Sequence, residues 1–213
     1  MRYGTKTDYE IVWRTMRRFT DARGSGSTDE LWLVEHPAVY TLGQAGRAEH
    51  ILDPGDIPVV RSDRGGQVTY HGPGQLVGYT IFDIGAWYQD VFRFLRNLEV
   101  VIIRLLGDFD VEAYTEQGIT GVWVSNRKVA ALGIKVSWWV SMHGFSVNVN
   151  PDLSMYDGIV PCGISDRKVT SLEEILGGPV LIEEVEKNLI RHLGDVFEMS
   201  FQEMKLSELL QRI

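Results

Sequence analysis

A chain of 213 residues, 44% hydrophobic and 23% charged, can bury one sizeable core and is too ordinary in composition for a disordered or fibrous protein. A net charge of −8 excludes a general nucleic-acid binder, which carries a basic face, and a single cysteine excludes an internal disulfide framework. Met1-Arg2-Tyr3-Gly4-Thr5-Lys6 lacks a signal peptide's apolar core, and the most apolar helical run, Val100 to Leu106, is broken by Arg104, well short of the ~20 residues a bilayer span needs. One domain over residues 1–213, cytoplasmic, with no nucleic acid or membrane as partner, is the expectation.

Thr7-Asp8-Tyr9-Glu10 reads as a capping box with Thr7 as the cap. Tyr9, Val12, Met16 and Phe19 then recur at helical spacing, and Gly24 ends the segment. Two strands follow, Leu31 to Glu35 and Val39 to Leu42, parted by His36-Pro37. Strand character continues around Val59-Val60, at Val68-Thr69-Tyr70 and from Leu76 to Ile84.

Trp87 to Leu106 predicts a long helix with Val91, Leu95, Leu98, Ile102 and Leu105 on one face. Val122 to Leu132, turning at Asn126-Arg127, predicts a β-hairpin, and alternation resumes at Phe145, Val147 and Val149. Ser171-Leu172-Glu173-Glu174 is a second capping box, a fourth helix runs from about Leu181 to Phe197, and a short helix closes the chain. Helices before, between and after strands give an α/β chain of the α+β type, with a mixed sheet and no repeat or linker.

The most unusual local sequence is Arg64-Gly65-Gly66-Gln67-Val68-Thr69-Tyr70-His71-Gly72-Pro73-Gly74-Gln75. Its glycines permit close backbone approach to a ligand, and equally the ends of a plain hairpin. It is no dinucleotide fingerprint, since the third glycine falls at Gly78 and a strand follows, and no P-loop, since Gly-Lys-Ser/Thr is missing. No Cys/His spacing fits zinc, so neither metal nor cofactor is invoked.

Cys162 sits in Val160-Pro161-Cys162-Gly163-Ile164. A lone cysteine is commonly a small buried hydrophobe, but a Pro/Gly-flanked loop favours access. As a nucleophile it needs a nearby cation, because a thiol of pKa ≈ 8.5 is only slightly ionised at neutral pH. Lys128 and Lys135 are both candidates. Strand alternation points Lys128, Ala130 and Leu132 to one face and Val129, Ala131 and Gly133 to the other. His71 and His143 flank glycines and are candidates to line a site, His36 and His192 read as structural or solvated, and His50 has no assigned place.

Taken together, Glu35 to Gly46, residues 64–75, Arg127-Lys128-Val129-Ala130-Ala131-Leu132-Gly133, His143-Gly144-Phe145-Ser146-Val147-Asn148-Val149 and Pro161-Cys162-Gly163 with Val169-Thr170-Ser171-Leu172 resemble the octanoyltransferases of lipoate biosynthesis, in order and over nearly the whole chain. The resemblance implies the catalytic fold of biotin protein ligases and lipoate ligases, with a largely antiparallel sheet flanked by helices. It implies transfer of octanoyl (or lipoyl) from acyl carrier protein to a lysine of the lipoyl domains of 2-oxoacid dehydrogenases or of glycine cleavage H protein, without ATP, by a monomer.

Carried over, Cys162 is the acyl-thioester nucleophile and Lys128 the residue that lowers its pKa. Arg64, Gly65, Gly66, Gln67, Val68, Thr69, Tyr70 and His71, with Ala131, Leu132, Gly133, Gly144, Phe145 and Ser146, line the acyl pocket. Arg127, Lys128, Lys135, Arg167 and Lys168 are expected to form a cationic mouth for an acidic donor. Trp138-Trp139 departs from the family, which commonly has basic residues there. Two alternatives stand beside this reading: an ATP-dependent lipoate or biotin ligase, which needs no cysteine, and a non-catalytic lipoyl-domain binder.

Overall fold

A computed structural model describes residues 6–24, 26–160 and 168–203. The expected closing helix and Cys162 lie outside them. Helix α1 (Tyr9–Asp21) buries Tyr9, Val12, Met16 and Phe19 as their spacing predicts, but its cap is Asp8, whose carboxylate accepts from the Ile11 N–H. The correction is one residue: Asp competes well for the cap, and Glu10 pairs with Arg14 instead.

Six strands form one antiparallel sheet in the order β1 (Glu30–Val34), β5 (Gln75–Ile81), β9 (Val140–Asn148), β8 (Arg127–Ser137), β7 (Ile119–Val124) and β6 (Tyr114–Glu116). β2 (Val39–Leu42) joins a second sheet between β3 (Val59–Arg61), parallel to it, and β4 (Val68–His71), antiparallel. The parallel pair is what makes the β structure mixed.

Both faces of the large sheet are covered. α1 packs with Val77, Tyr79, Ile81 and Met142 on one face. Helices α2 (Val91–Gly107) and α4 (Ile182–Phe197) bury Leu98, Ile102, Leu105, Val185, Leu189 and Leu193 against the other, each such side chain contributing roughly 1.5–3 kcal/mol. The α2 cap is Asp90, so the helix starts later than Trp87; residues 84–86 form a separate 3₁₀ turn. Short helix α3 (Leu172–Leu176) is capped by Ser171 on the Glu174 N–H, as expected. Among the described residues no helix is long and apolar enough to cross a membrane.

The β7–β8 hairpin turns through Ser125 and Asn126, one residue earlier than the expected Asn126-Arg127, because Arg127 already pairs with Val124; both turn residues have positive φ, the geometry that suits a two-residue hairpin loop. The next hairpin, β8–β9, turns through Trp138 and Trp139 at φ 51° and 63°. Trp138 is 95% exposed.

Candidate active site

The β7–β8 pairing carries a bulge: Trp123 faces Lys128, but the next residue back, Val122, faces Ala130. One extra residue on β8 shifts the side-chain phase by one from there on. Lys128 therefore shares its face with Ala131 and Gly133, while Val129 and Ala130 both enter the core. This corrects the simple alternation, and it puts the lysine over a floor of small residues.

That floor belongs to a cavity. It is walled by Ala131, Leu132 and Gly133 of β8, Gly144, Phe145 and Ser146 of β9, and Val77 and Tyr79 of β5. Arg64, Gly66, Gln67, Val68, Thr69 and His71 cross above it from the second sheet. Thr120, Lys128 and His143 complete the lining. The loop closes on β8 where the Gly65 N–H donates to the Ile134 carbonyl at 2.9 Å. A Cβ on Gly133 would lie 2.7 Å from the Gly65 oxygen, so this crossing requires glycine for space.

Two of the expected lining residues sit elsewhere. Gly65 meets β8 rather than the cavity, and Tyr70 packs with Tyr40 and Tyr156 in the core of the second sheet. Arg64 lines the cavity, but its guanidinium donates to Thr41 Oγ1 and to the carbonyls of Thr41, Gly65 and Gln67 at 2.6–3.0 Å. Its hydrogen bonding shapes the loop.

Lys128 is 6% exposed. Nζ donates to the Thr120 carbonyl at 3.3 Å and lies 4.8 Å from the Trp123 ring centroid, a cation–π distance. Its backbone forms a parallel bridge with residues 168–170: the Lys128 N–H donates to Lys168 O and the Thr170 N–H to Lys128 O, each at 2.9 Å. The chain thus re-emerges from residues 161–167 alongside Lys128, and Cys162 stands six positions before Lys168.

Lys135 differs. It pairs with Asp63 at 2.8 Å, and Arg127 pairs with Glu174. Two of the five cations expected at the mouth are thus engaged by carboxylates and a third, Lys128, is buried; Lys168 is exposed, and Arg167 lies outside the described residues.

A polar cluster unforeseen in the sequence stands around Asp63, which accepts from Lys135, Trp13 Nε1 (2.7 Å) and His143 Nε2 (2.8 Å). Burial opposes its ionisation, yet these donors hold its carboxyl well below the usual range. Burial pushes His143 down against the pull of Asp63. No motif marks Asp63; only its place before Arg64-Gly65-Gly66 hints at it. Val77, Tyr79 and Thr120 carried no signal either.

Behind the cavity, His36 Nδ1 faces the Thr7 carbonyl and Nε2 the Tyr79 hydroxyl, both at 2.7 Å. The carbonyl can only accept, so His36 carries its proton on Nδ1. His71 does likewise toward Gln75 Oε1 at 2.7 Å. Burial lowers His36 to about 4 and His71 to about 3, whereas the unfolded chain titrates them near 6.5. Below pH ~6.5 the unfolded state binds protons that the folded state refuses. The stability these groups contribute is therefore present above that pH and lost as pH falls toward 4 and 3. Imidazole ¹⁵N spectra at pH 5.5 are expected to show both rings neutral and Nδ1-protonated. An imidazolium signal from either ring at that pH would overturn the assignment.

The family described as "Lipoyl protein ligase A/B catalytic domain" matches residues 8–194. The octanoyltransferase of Shewanella woodyi is 46% identical over 191 residues, 90% of this chain and 87% of that protein. The octanoyltransferase of Alkalilimnicola ehrlichii is 48% identical over 192 residues, 90% and 89% of the two chains. In fold alone, a bipartite lipoate protein ligase from Thermoplasma acidophilum superimposes with a TM-score of 0.81 at 17% identity, covering 99% of this chain and 88% of that one. Biotin protein ligase from Aquifex aeolicus gives 0.57 at 14%, covering 93% and 68%. The antiparallel sheet, the glycine-rich loop laid across it and this level of identity agree, and the chain belongs to the lipoyl protein ligase A/B catalytic-domain family, among its octanoyltransferases.

Proposed function

We propose that this protein is a cytoplasmic, single-domain acyltransferase that moves octanoyl, or lipoyl, from acyl carrier protein to a lysine of a lipoyl domain or glycine cleavage H protein, through a thioester on Cys162 and without ATP. The observation that carries the reading is Lys128 buried at the edge of a cavity walled by glycine, alanine and apolar side chains. Such walls suit an eight-carbon chain, whose CH₂ groups gain about 0.8 kcal/mol each on burial.

In the first half-reaction the Cys162 thiolate, stabilised by the Lys128 ammonium, attacks the donor's thioester carbonyl. A new C–S bond forms, the old one breaks, and the carrier's thiolate leaves with the electron pair and is protonated by Lys128. In the second, the acceptor lysine's amine attacks the acyl-cysteine. The C–N bond forms, the Cys162 thiolate departs, and the surplus amine proton passes to the now neutral Lys128.

The test supplies octanoyl-carrier protein and a lipoyl domain, with and without ATP. Equal amide formation in both is expected. Transfer from free octanoate that requires ATP, with none from the carrier thioester, would instead make the chain a ligase. Binding of the lipoyl domain with no transfer from either donor would make it a non-catalytic binder.

A further inference from the structure

Helix α2 carries one acid on its buried face. Glu99 is 0% exposed, set among Phe94, Leu98 and Ile102. Burial pushes its carboxyl up, opposed by the Gly121 amide and by the charges of Arg96 and Lys128. Its Oε2 meets Arg96 at 2.6 Å, and its Oε1 accepts from the Gly121 N–H at 2.9 Å. Arg96 is 46% exposed and finds water readily; a pair with it alone gives no reason to bring the carboxylate inside. The inward contact is with β7.

Gly121 stands at φ +141°, and the space its missing Cβ leaves is where Lys128 lies: an added Cβ would be 3.0 Å from Cε and 3.3 Å from Nζ. The residue before it, Thr120, supplies the carbonyl that accepts from Lys128 Nζ. One carboxylate thus fixes the dipeptide on which the ammonium rests and sets a negative charge behind it. The groups facing the carboxylate are Arg96 on its own helix, the Gly121 amide on β7, and Lys128 on β8, with the Trp123 ring on the far side of the lysine.

We propose that Glu99 is a positioning residue for acyl transfer, its buried carboxylate locking Thr120-Gly121 and so holding the Lys128 side chain in place at the edge of the acyl cavity. The inference rests on the role given to Lys128 above. The Glu99 carboxylate reaches Lys128 through the Thr120-Gly121 backbone that the lysine rests on, and it does so without touching the cavity. Its role is therefore in the readiness of the thiolate, and substrate binding is untouched.

Glu99→Gln is isosteric and still accepts from Gly121, so the fold persists while the charge goes; circular dichroism verifies this. The expected result is an iodoacetamide alkylation profile of Cys162 displaced to higher pH by about one pH unit, with slower acylation at neutral pH and unchanged KM for the donor. In a Lys128→Ala background the same substitution should displace nothing further. A midpoint that stays put or moves down in Glu99→Gln, while Lys128→Ala raises it, overturns the proposal and leaves the Cys162–Lys128 pair standing. An equal displacement in both backgrounds also overturns it, since Glu99 would then act without Lys128. A wild-type profile in Lys128→Ala itself would show that Lys128 does not govern thiolate formation, and Glu99's role would fall with it.

Discussion

Mixing the protein with an octanoyl thioester in the absence of acceptor is expected to leave one octanoyl group on the chain, removable by neutral hydroxylamine. Because the sequence holds one cysteine, intact mass locates that adduct without further mapping. Cys162→Ser should abolish the adduct and lower kcat for transfer by on the order of 10³-fold or more. Serine preserves size and hydrogen bonding, but its hydroxyl ionises far above neutral pH, and a lone ammonium cannot bridge that gap as it does for a thiol. Flanking geometry supports the choice: the chain enters residues 161–167 after Val160, bonded to the His50 carbonyl, and leaves at Lys168, bonded to Lys128. An adduct on Cys162→Ser would place the acyl group on another nucleophile, and wild-type transfer by that variant with no adduct would mean direct attack by the acceptor lysine on the donor; either result would overturn the Cys162 thioester.

Local features of this chain were readable because they depend on near neighbours. The Tyr9, Val12, Met16, Phe19 stripe, the Ser171 cap and the Asn126 turn each follow from spacing or from a backbone preference of a few residues. The glycine-rich loop could be singled out, but not the strand it would lie against; its glycine requirement comes from Ile134 and Gly133, far along the chain. The β8 bulge was invisible for the same reason. Periodicity assumes an unbroken pleat, and one extra residue opposite Val122 and Trp123 changes which small side chains lie beside Lys128. Glu99 did leave a trace: it falls four residues after Leu95 and three before Ile102, inside the apolar stripe. An acid in such a stripe is costly unless it is paired, so its position alone asks for a partner on another element. Resemblance, and not residue chemistry, chose Lys128 over Lys135.

The two lysines are separated by their surroundings, and this yields the second large effect. Lys128→Ala is expected to move the alkylation midpoint of Cys162 up toward the ≈ 8.5 of a free thiol and to slow acylation at pH 7 by about 10–10³-fold. The ammonium favours the thiolate, so its removal makes ionisation harder and the profile moves to higher pH; a tenfold weaker ionisation corresponds to about 1.36 kcal/mol. The fold should survive, because the bonds that tie residue 128 to Lys168 and Thr170 are made by backbone atoms, which alanine retains. Some stability is lost with the aliphatic stem that covers Trp123. Lys135→Ala is the matched control. That lysine faces Asp63, and its removal leaves Asp63 with His143 and Trp13 as donors, so the alkylation profile should stay near wild type. The converse pattern, a displaced profile in Lys135→Ala and none in Lys128→Ala, would transfer the activating role to Lys135 and to the cluster around Asp63. Loss of acylation in Lys128→Ala without any change in the alkylation profile would locate the lysine's contribution after thiolate formation, in proton transfer to the departing carrier thiolate.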